Sequence, residues 1–185
     1  MRRSARPRCG WNSKFPQFRS TSPKHIRESL AEYAKDAGPQ QVRAWDEAIT
    51  PLQSEVGEIL ESDQASPGYS TILEYSLPME SRRTDVIFLA KGSIVVLELK
   101  SKLRPSQADI DQASAYVRDL RCYHRECENR PVLALCVPMK ARGYLGREHD
   151  VHILGPDAVD SFIEDLPYDP NLLPIAPKDF LAETA

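Results

Sequence analysis

The sequence predicts an α/β domain, a mixed sheet with flanking helices. Three observations lead there. Apolar residues recur at the helical period over 40–62, alternate as in strands over 71–100, and fill both faces of 131–137, as in an interior strand. A helix between the alternating strands and the interior strand implies a crossover, which sets that strand parallel to a neighbour. The chain of 185 residues is sized for one such domain, and its 41% hydrophobic and 28% charged residues exclude a disordered or fibrous class.

Residues 1–23 are polar, carry Pro and Ser without periodicity, and are expected to be a basic flexible arm. Arg2, Arg3, Arg6, Arg8, Lys14, Arg19, Lys24 and Arg27 all precede the first acid, Glu28, although the whole chain is net −3. A basic segment ahead of an acidic body either contacts a polyanion or is a solvated terminus. Ser22-Pro23 opens a first helix with Ile26, Leu30, Tyr33 and Ala34 on one stripe, and Gly38-Pro39 stops it. Residues 40–62 form a longer helix through Trp45, Ile49, Leu52, Val56, Ile59 and Leu60, which Pro51 would kink or split. Ser66-Pro67-Gly68 is a turn. Strands follow at 71–77, 83–89 and 94–100, with Ala90-Lys91-Gly92-Ser93 as the hairpin between the last two. Pro105-Ser106 begins a helix striped by Ile110, Ala113, Val117 and Leu120, and Val132 to Cys136 is the interior strand. A short strand at 151–154 and a helix near 158–166 complete a domain spanning 24–166. Residues 167–185 are a Pro-rich tail, either an extended wrap or disordered.

Chemistry concentrates around the hairpin. A turn centred on Lys91-Gly92 sets Asp85 directly across from Glu98, and Arg83 across from Lys100. Paired carboxylates would have Cβ atoms about 4.5–5.5 Å apart and would repel each other. A divalent cation relieves that repulsion, since Mg²⁺ takes one or two carboxylates and shares its other positions with waters and substrate phosphates. Lys100, on the face of Glu98, would hold an attacking water or stabilise charge on the phosphoryl group. The bland reading is a solvated strand face with a Glu98–Lys100 or Glu98–Arg83 ion pair, which the apolar neighbours Val96, Leu97 and Leu99 argue against.

Asp85, twelve intervening residues and Glu98-Leu99-Lys100 resemble the D…ExK signature of the PD-(D/E)xK nuclease superfamily. Gln112-Ala113-Ser114-Ala115-Tyr116 is similar to the QxxxY element of its RecB-like members. Leu73-Glu74-Tyr75-Ser76-Leu77-Pro78, followed by Arg83-Thr84-Asp85-Val86-Ile87, resembles nuclease domains found with DUF2075-type helicases, although no helicase follows here. The resemblance covers residues 40–138. It implies a restriction-endonuclease-like αβββαβ core and Mg²⁺-dependent hydrolysis of phosphodiester bonds, with Mn²⁺ as a substitute, by in-line attack of water on phosphorus. DNA is the first-choice substrate and RNA stays open. Asp85 and Glu98 would ligate the metal, helped by the Leu99 carbonyl; Lys100 would orient the water; Gln112 and Tyr116 would brace the site or touch substrate. The family often adds a Glu from the first helix. Glu55 flanks the apolar stripe whereas Glu58 points away, so Glu55 is preferred, with Glu74 as the rival. Arg83, Lys102 and Arg104 are the candidate substrate contacts.

The alternative is a catalytically inactive nucleic-acid-binding or scaffolding module of the same fold; the acidic body favours it, because nonspecific binders usually show a positive footprint. A homodimer, or a place in a larger nucleic-acid-processing complex, is also open. No membrane partner is expected, since the apolar run near 131–139 is too short to span a bilayer. A cytoplasmic setting is expected: no secretory signal opens the chain, and Cys9, Cys122, Cys127 and Cys136 make no disulfide scaffold. Cys122 and Cys127 lack the second ligand pair of a zinc site.

Overall fold

A computed structural model describes residues 7–78 and 80–182; Arg2, Arg3 and Arg6 of the basic segment lie outside the described residues. The architecture is mixed α/β. One seven-stranded sheet runs in the order β1 (Trp11–Lys14), β2 (Ser70–Ser76), β3 (Arg83–Ala90), β4 (Ser93–Lys100), β5 (Val132–Pro138), β7 (Val151–Leu154) and β6 (Leu145–Glu148). The β4–β5 and β5–β7 pairs are parallel and the others antiparallel. Helices cover both faces. Helices α1 (Phe15–Ser20), α2 (Pro23–Tyr33), α3 (Pro39–Ser62) and α5 (Val159–Glu164) pack on the face that carries Val86, Phe88, Val95 and Leu97. Helices α4 (Gln107–Tyr123) and α6 (Pro177–Ala182) pack on the face of Ile72, Ile87, Ile94 and Val96. The alternation of β3 and β4 thus feeds two cores, which is why these strands read as nearly continuous apolar runs. Among the described residues no helix is long and apolar enough to cross a membrane.

The hairpin forms on two loop residues. Lys91 and Gly92 both have positive φ, 50° and 73°, as a type I′ turn requires. That turn pins the register, with Ala90 opposite Ser93 and, in step, Val86 opposite Leu97. Helix α4 starts on a capping box: the Ser106 hydroxyl accepts the Asp109 N–H, and the Asp109 carboxylate accepts the Ser106 N–H. Pro51 neither splits nor ends α3, which is continuous from Pro39 to Ser62.

One expectation about the termini needs correction, and of the two alternatives for the tail the structure takes the wrap. The segment expected to be a flexible arm is built into the fold from Arg8 onward, where the Arg8 carbonyl accepts the Ser76 N–H and the Gly10 N–H donates to the Leu73 carbonyl. Strand β1 pairs with β2, and Phe15 and Phe18 are both 0% exposed, with Phe15 edge-on to Tyr69 and Phe88. Two rings three residues apart on one helical turn outweigh the polar composition around them. The Pro-rich tail wraps the body and ends in α6, where Phe180 is buried and stacks on His124, centroids 4.1 Å apart. His124 is held by the same contact, its Nε2 lying 2.9 Å from the Phe180 carbonyl.

Candidate active site

The regular pairing of β3 with β4 stops at Val86–Leu97, so the expected direct pairing of Asp85 with Glu98, and of Arg83 with Lys100, does not form. The strands part there. The Asp85 side chain takes over from the backbone, its Oδ2 accepting the Leu99 N–H at 2.8 Å. β4 meanwhile stays paired with β5 out to Lys100–Pro138, so the ExK segment is rigid on one side and open on the other. The fork still leaves the two carboxyl groups near enough for the charge of Asp85 to act on Glu98.

Glu98 is 3% exposed, and its two oxygens differ. Oε1 accepts from Lys100 Nζ at 3.2 Å, whereas Oε2 is buried without a hydrogen-bond partner among the described residues. Two carboxylates cannot donate to one another, so the fully ionised pair leaves that oxygen unmet. Burial, then the Asp85 charge, raises the Glu98 carboxyl well above the usual range. Burial also pushes Asp85 up to about 6; the Leu99 N–H opposes this and the Glu74 charge adds to it. For Lys100, burial alone would favour the neutral amine, but Glu98 and Asp85 outweigh it and hold the ammonium above its ordinary value.

Lys100 Nζ also donates to Gln112 Oε1 at 3.0 Å, and Gln112 Nε2 donates to the Tyr116 hydroxyl at 2.5 Å. Both residues sit one helical turn apart on α4, so Gln112 and Tyr116 form a relay that fixes the ammonium. The Arg82 guanidinium stands over the Tyr116 ring, 5.2 Å from its centroid. Asp109, from the capping box, lies 3.8 Å from Lys100 Nζ and 2.6 Å from Lys102 Nζ. Lys102 is paired with Asp109 through a side chain that is half exposed, while Arg104 is exposed and in no ion pair among the described residues.

The helix carboxylate is corrected. Glu55 lies on the buried side of α3, but its carboxylate accepts the Asp160 N–H at 2.9 Å, at the start of α5 and away from Asp85 and Glu98. Burial, together with the charges of Asp160 and Asp157, holds it up at about 7 although that N–H opposes the shift. Glu74 is the acid beside the pair. It lies between the Leu73–Val86 and Tyr75–Thr84 pairings, opposite Asp85, and both carboxylates line a cavity of about 60 Å³ beneath α3. Its carboxylate accepts from Trp45 Nε1 (2.7 Å), Gln41 Nε2 (3.0 Å) and Arg83 Nε (3.0 Å). Arg83 also reaches Asp36 at 3.3 Å, so its guanidinium is engaged on the α3 side.

Sequence reasoning missed Asp109 and Arg82 as parts of this network. The Ser106-x-x-Asp109 spacing was the available signal for the first, being a capping-box pattern; Arg82 carried none. No family model matches the chain, and neither a curated protein nor a solved structure is significantly similar to it.

Proposed function

We propose that this protein is a metal-dependent nuclease hydrolysing phosphodiester bonds, DNA foremost, on a restriction-endonuclease-like core. The observation that carries the reading is the forked hairpin, where Asp85, Glu98 and Lys100 converge and a buried carboxylate oxygen of Glu98 has no donor among the described residues. An oxygen so placed, beside a second carboxyl group, is a hard donor in search of a positive charge. The donor set fits Mg²⁺ or Mn²⁺: Asp85, Glu98 and the Leu99 carbonyl would hold the ion, which neutralises the pair and polarises a phosphoryl oxygen when bound.

The remaining chemistry falls to the chain's own groups. An ammonium has three donors, and two of those on Lys100 are used by Glu98 and Gln112. The third makes no hydrogen bond among the described residues, Asp109 standing off at 3.8 Å, and would orient a water or a non-bridging phosphate oxygen. Tyr116, through Gln112, keeps that ammonium from swinging away, so the water is aligned before substrate arrives. Burial of the site strengthens each of these interactions relative to bulk water.

The test is cleavage. Plasmid, linear duplex, single-stranded DNA and RNA are incubated with Mg²⁺ or Mn²⁺, comparing wild type with Asp85→Asn and Lys100→Ala. A loss of about 10²-fold or more in both variants is expected. A second reading, a non-catalytic nucleic-acid-binding module, is favoured by one observation: among the described residues no three His, Cys, Asp or Glu side chains form a metal-ligating cluster. Binding without cleavage, unchanged in both variants, would establish that reading instead.

A further inference from the structure

Arg83 and Asp85 are two residues apart on β3, about 7 Å along the strand, within reach of a guanidinium. An Arg beside two crowded carboxyl groups would ordinarily pair with them, and bidentate Arg–carboxylate pairing is among the strongest polar contacts available. Arg83 does not. Its Nε is spent on Glu74 Oε2 at 3.0 Å and its Nη1 on Asp36 Oδ1 at 3.3 Å. The cation next to Glu98 is Lys100 alone among the described residues, and it serves one oxygen only.

Glu74 is built for this task at some cost. It is 2% exposed and adopts φ 54°, a left-handed conformation that a non-glycine residue holds only when its surroundings impose it. The imposed conformation comes with its carboxylate bonded to Trp45 and Gln41 on α3, and on Oε2 the remaining lone-pair direction is taken by Arg83. Three donors already satisfy that carboxylate, so it is a poor metal ligand and a good anchor.

We infer that Glu74 is a positioning residue: by sequestering Arg83, it keeps the guanidinium out of the Asp85–Glu98 pair and reserves that pair for a divalent cation. This rests on the metal-dependent reading above and adds to it a competition, internal cation against external cation, decided by one buried acid. Asp36, whose side chain is 75% exposed, is the weaker second anchor.

The experiment is a calorimetric titration of the full chain with Mn²⁺ alone, at fixed pH and ionic strength, without nucleic acid. Glu74→Gln keeps an acceptor for Trp45 and removes the charge that holds Arg83; its Mn²⁺ affinity is expected to fall about tenfold or more, as one diverted charge-assisted hydrogen bond implies. Adding Arg83→Met to Glu74→Gln removes the competitor and should restore affinity to within about threefold of wild type. A residue that merely supports the fold would give no such rescue. Asp36→Asn, at an exposed position where folding is not in question, repeats the test with an expected weakening of about threefold, again reversed by Arg83→Met. Unchanged affinity in Glu74→Gln, or a weakening that Arg83→Met does not reverse, overturns the role given to Glu74 while leaving the metal site standing. A wild-type protein that binds no Mn²⁺ overturns both.

Discussion

Replacing Glu98 by Gln exchanges one carboxylate oxygen for an amide nitrogen in a side chain that is 3% exposed. In the wild type that carboxylate keeps Oε2 buried and unmet among the described residues, near a second acid. A buried acceptor without a partner costs about 1–3 kcal/mol, and a charged one more. The amide can donate to Asp85, so Glu98→Gln should recover about that amount when no divalent ion is present. For a chain of this size, 1 kcal/mol moves Tm by about 2–4 °C, giving an expected rise of roughly 2–12 °C at about pH 8 in a chelator. The sign with pH follows from the raised carboxyl. A group that holds its proton more tightly folded than unfolded supports the fold fully below its unfolded pKa, and that support is lost as pH rises. The variant's advantage should therefore vanish near about pH 4 and be largest above neutrality. Magnesium should reverse the ranking by raising the wild-type Tm and leaving the variant unmoved. Thermal melts by circular dichroism, with and without Mg²⁺, make the comparison. A natively folded variant that melts below wild type in chelator, or an equal Mg²⁺ shift in both proteins, would refute the reasoning.

Other consequences can be checked alongside. Because burial pushes Asp85 up to about 6 and holds Glu98 well above the usual carboxyl range, protons would compete with a cation held by the pair; Mn²⁺ affinity should fall by about tenfold or more per pH unit below about 6, and a flat titration series would contradict the ligand role. Glu55, held at about 7 mainly by burial, subtracts stability as pH climbs from its ordinary range toward neutrality. Glu55→Gln keeps an acceptor for the Asp160 N–H, so its urea midpoint should exceed wild type at about pH 8 and match it at about pH 4; no difference at either pH would remove the basis for that assignment. Phe18→Ala should cost about 3–5 kcal/mol, because the ring is fully buried against α3. A variant that unfolds within about 1 kcal/mol of wild type would return residues 11–20 to the status of an appendage.

Legibility in the sequence tracked how local each feature is. The register of the β3–β4 hairpin follows from two residues, Lys91 and Gly92, whose backbone preferences need no tertiary help. The fork at its far end does not, since Asp85 leaves the ladder to bind the Leu99 N–H only because β4 is already held by β5. Helical rotation placed Glu55 on the buried side of α3 but said nothing about which element covers it, and that element, α5, lies 105 residues downstream. Glu74 was legible as an acid on the first core strand; its left-handed backbone and its bond to Trp45 were not. Strand β1 and helix α1 span four and six residues, too short for periodicity to register, and only Trp11, Phe15 and Phe18 hinted at burial against the basic composition around them.

Among the described residues the sheet is bounded at one margin by Trp11–Lys14, whose pairing with β2 runs on to Arg8, and at the other by the four residues Leu145–Glu148. The second margin is short, offers few free backbone groups, and carries Arg147 and Glu148, charges that would have to be stripped of water. Recruitment of an extended peptide as an eighth strand is correspondingly disfavoured at that margin. Another copy of this chain would thus have to be recognised there by side chains on the helical faces or loops rather than by lengthening the sheet.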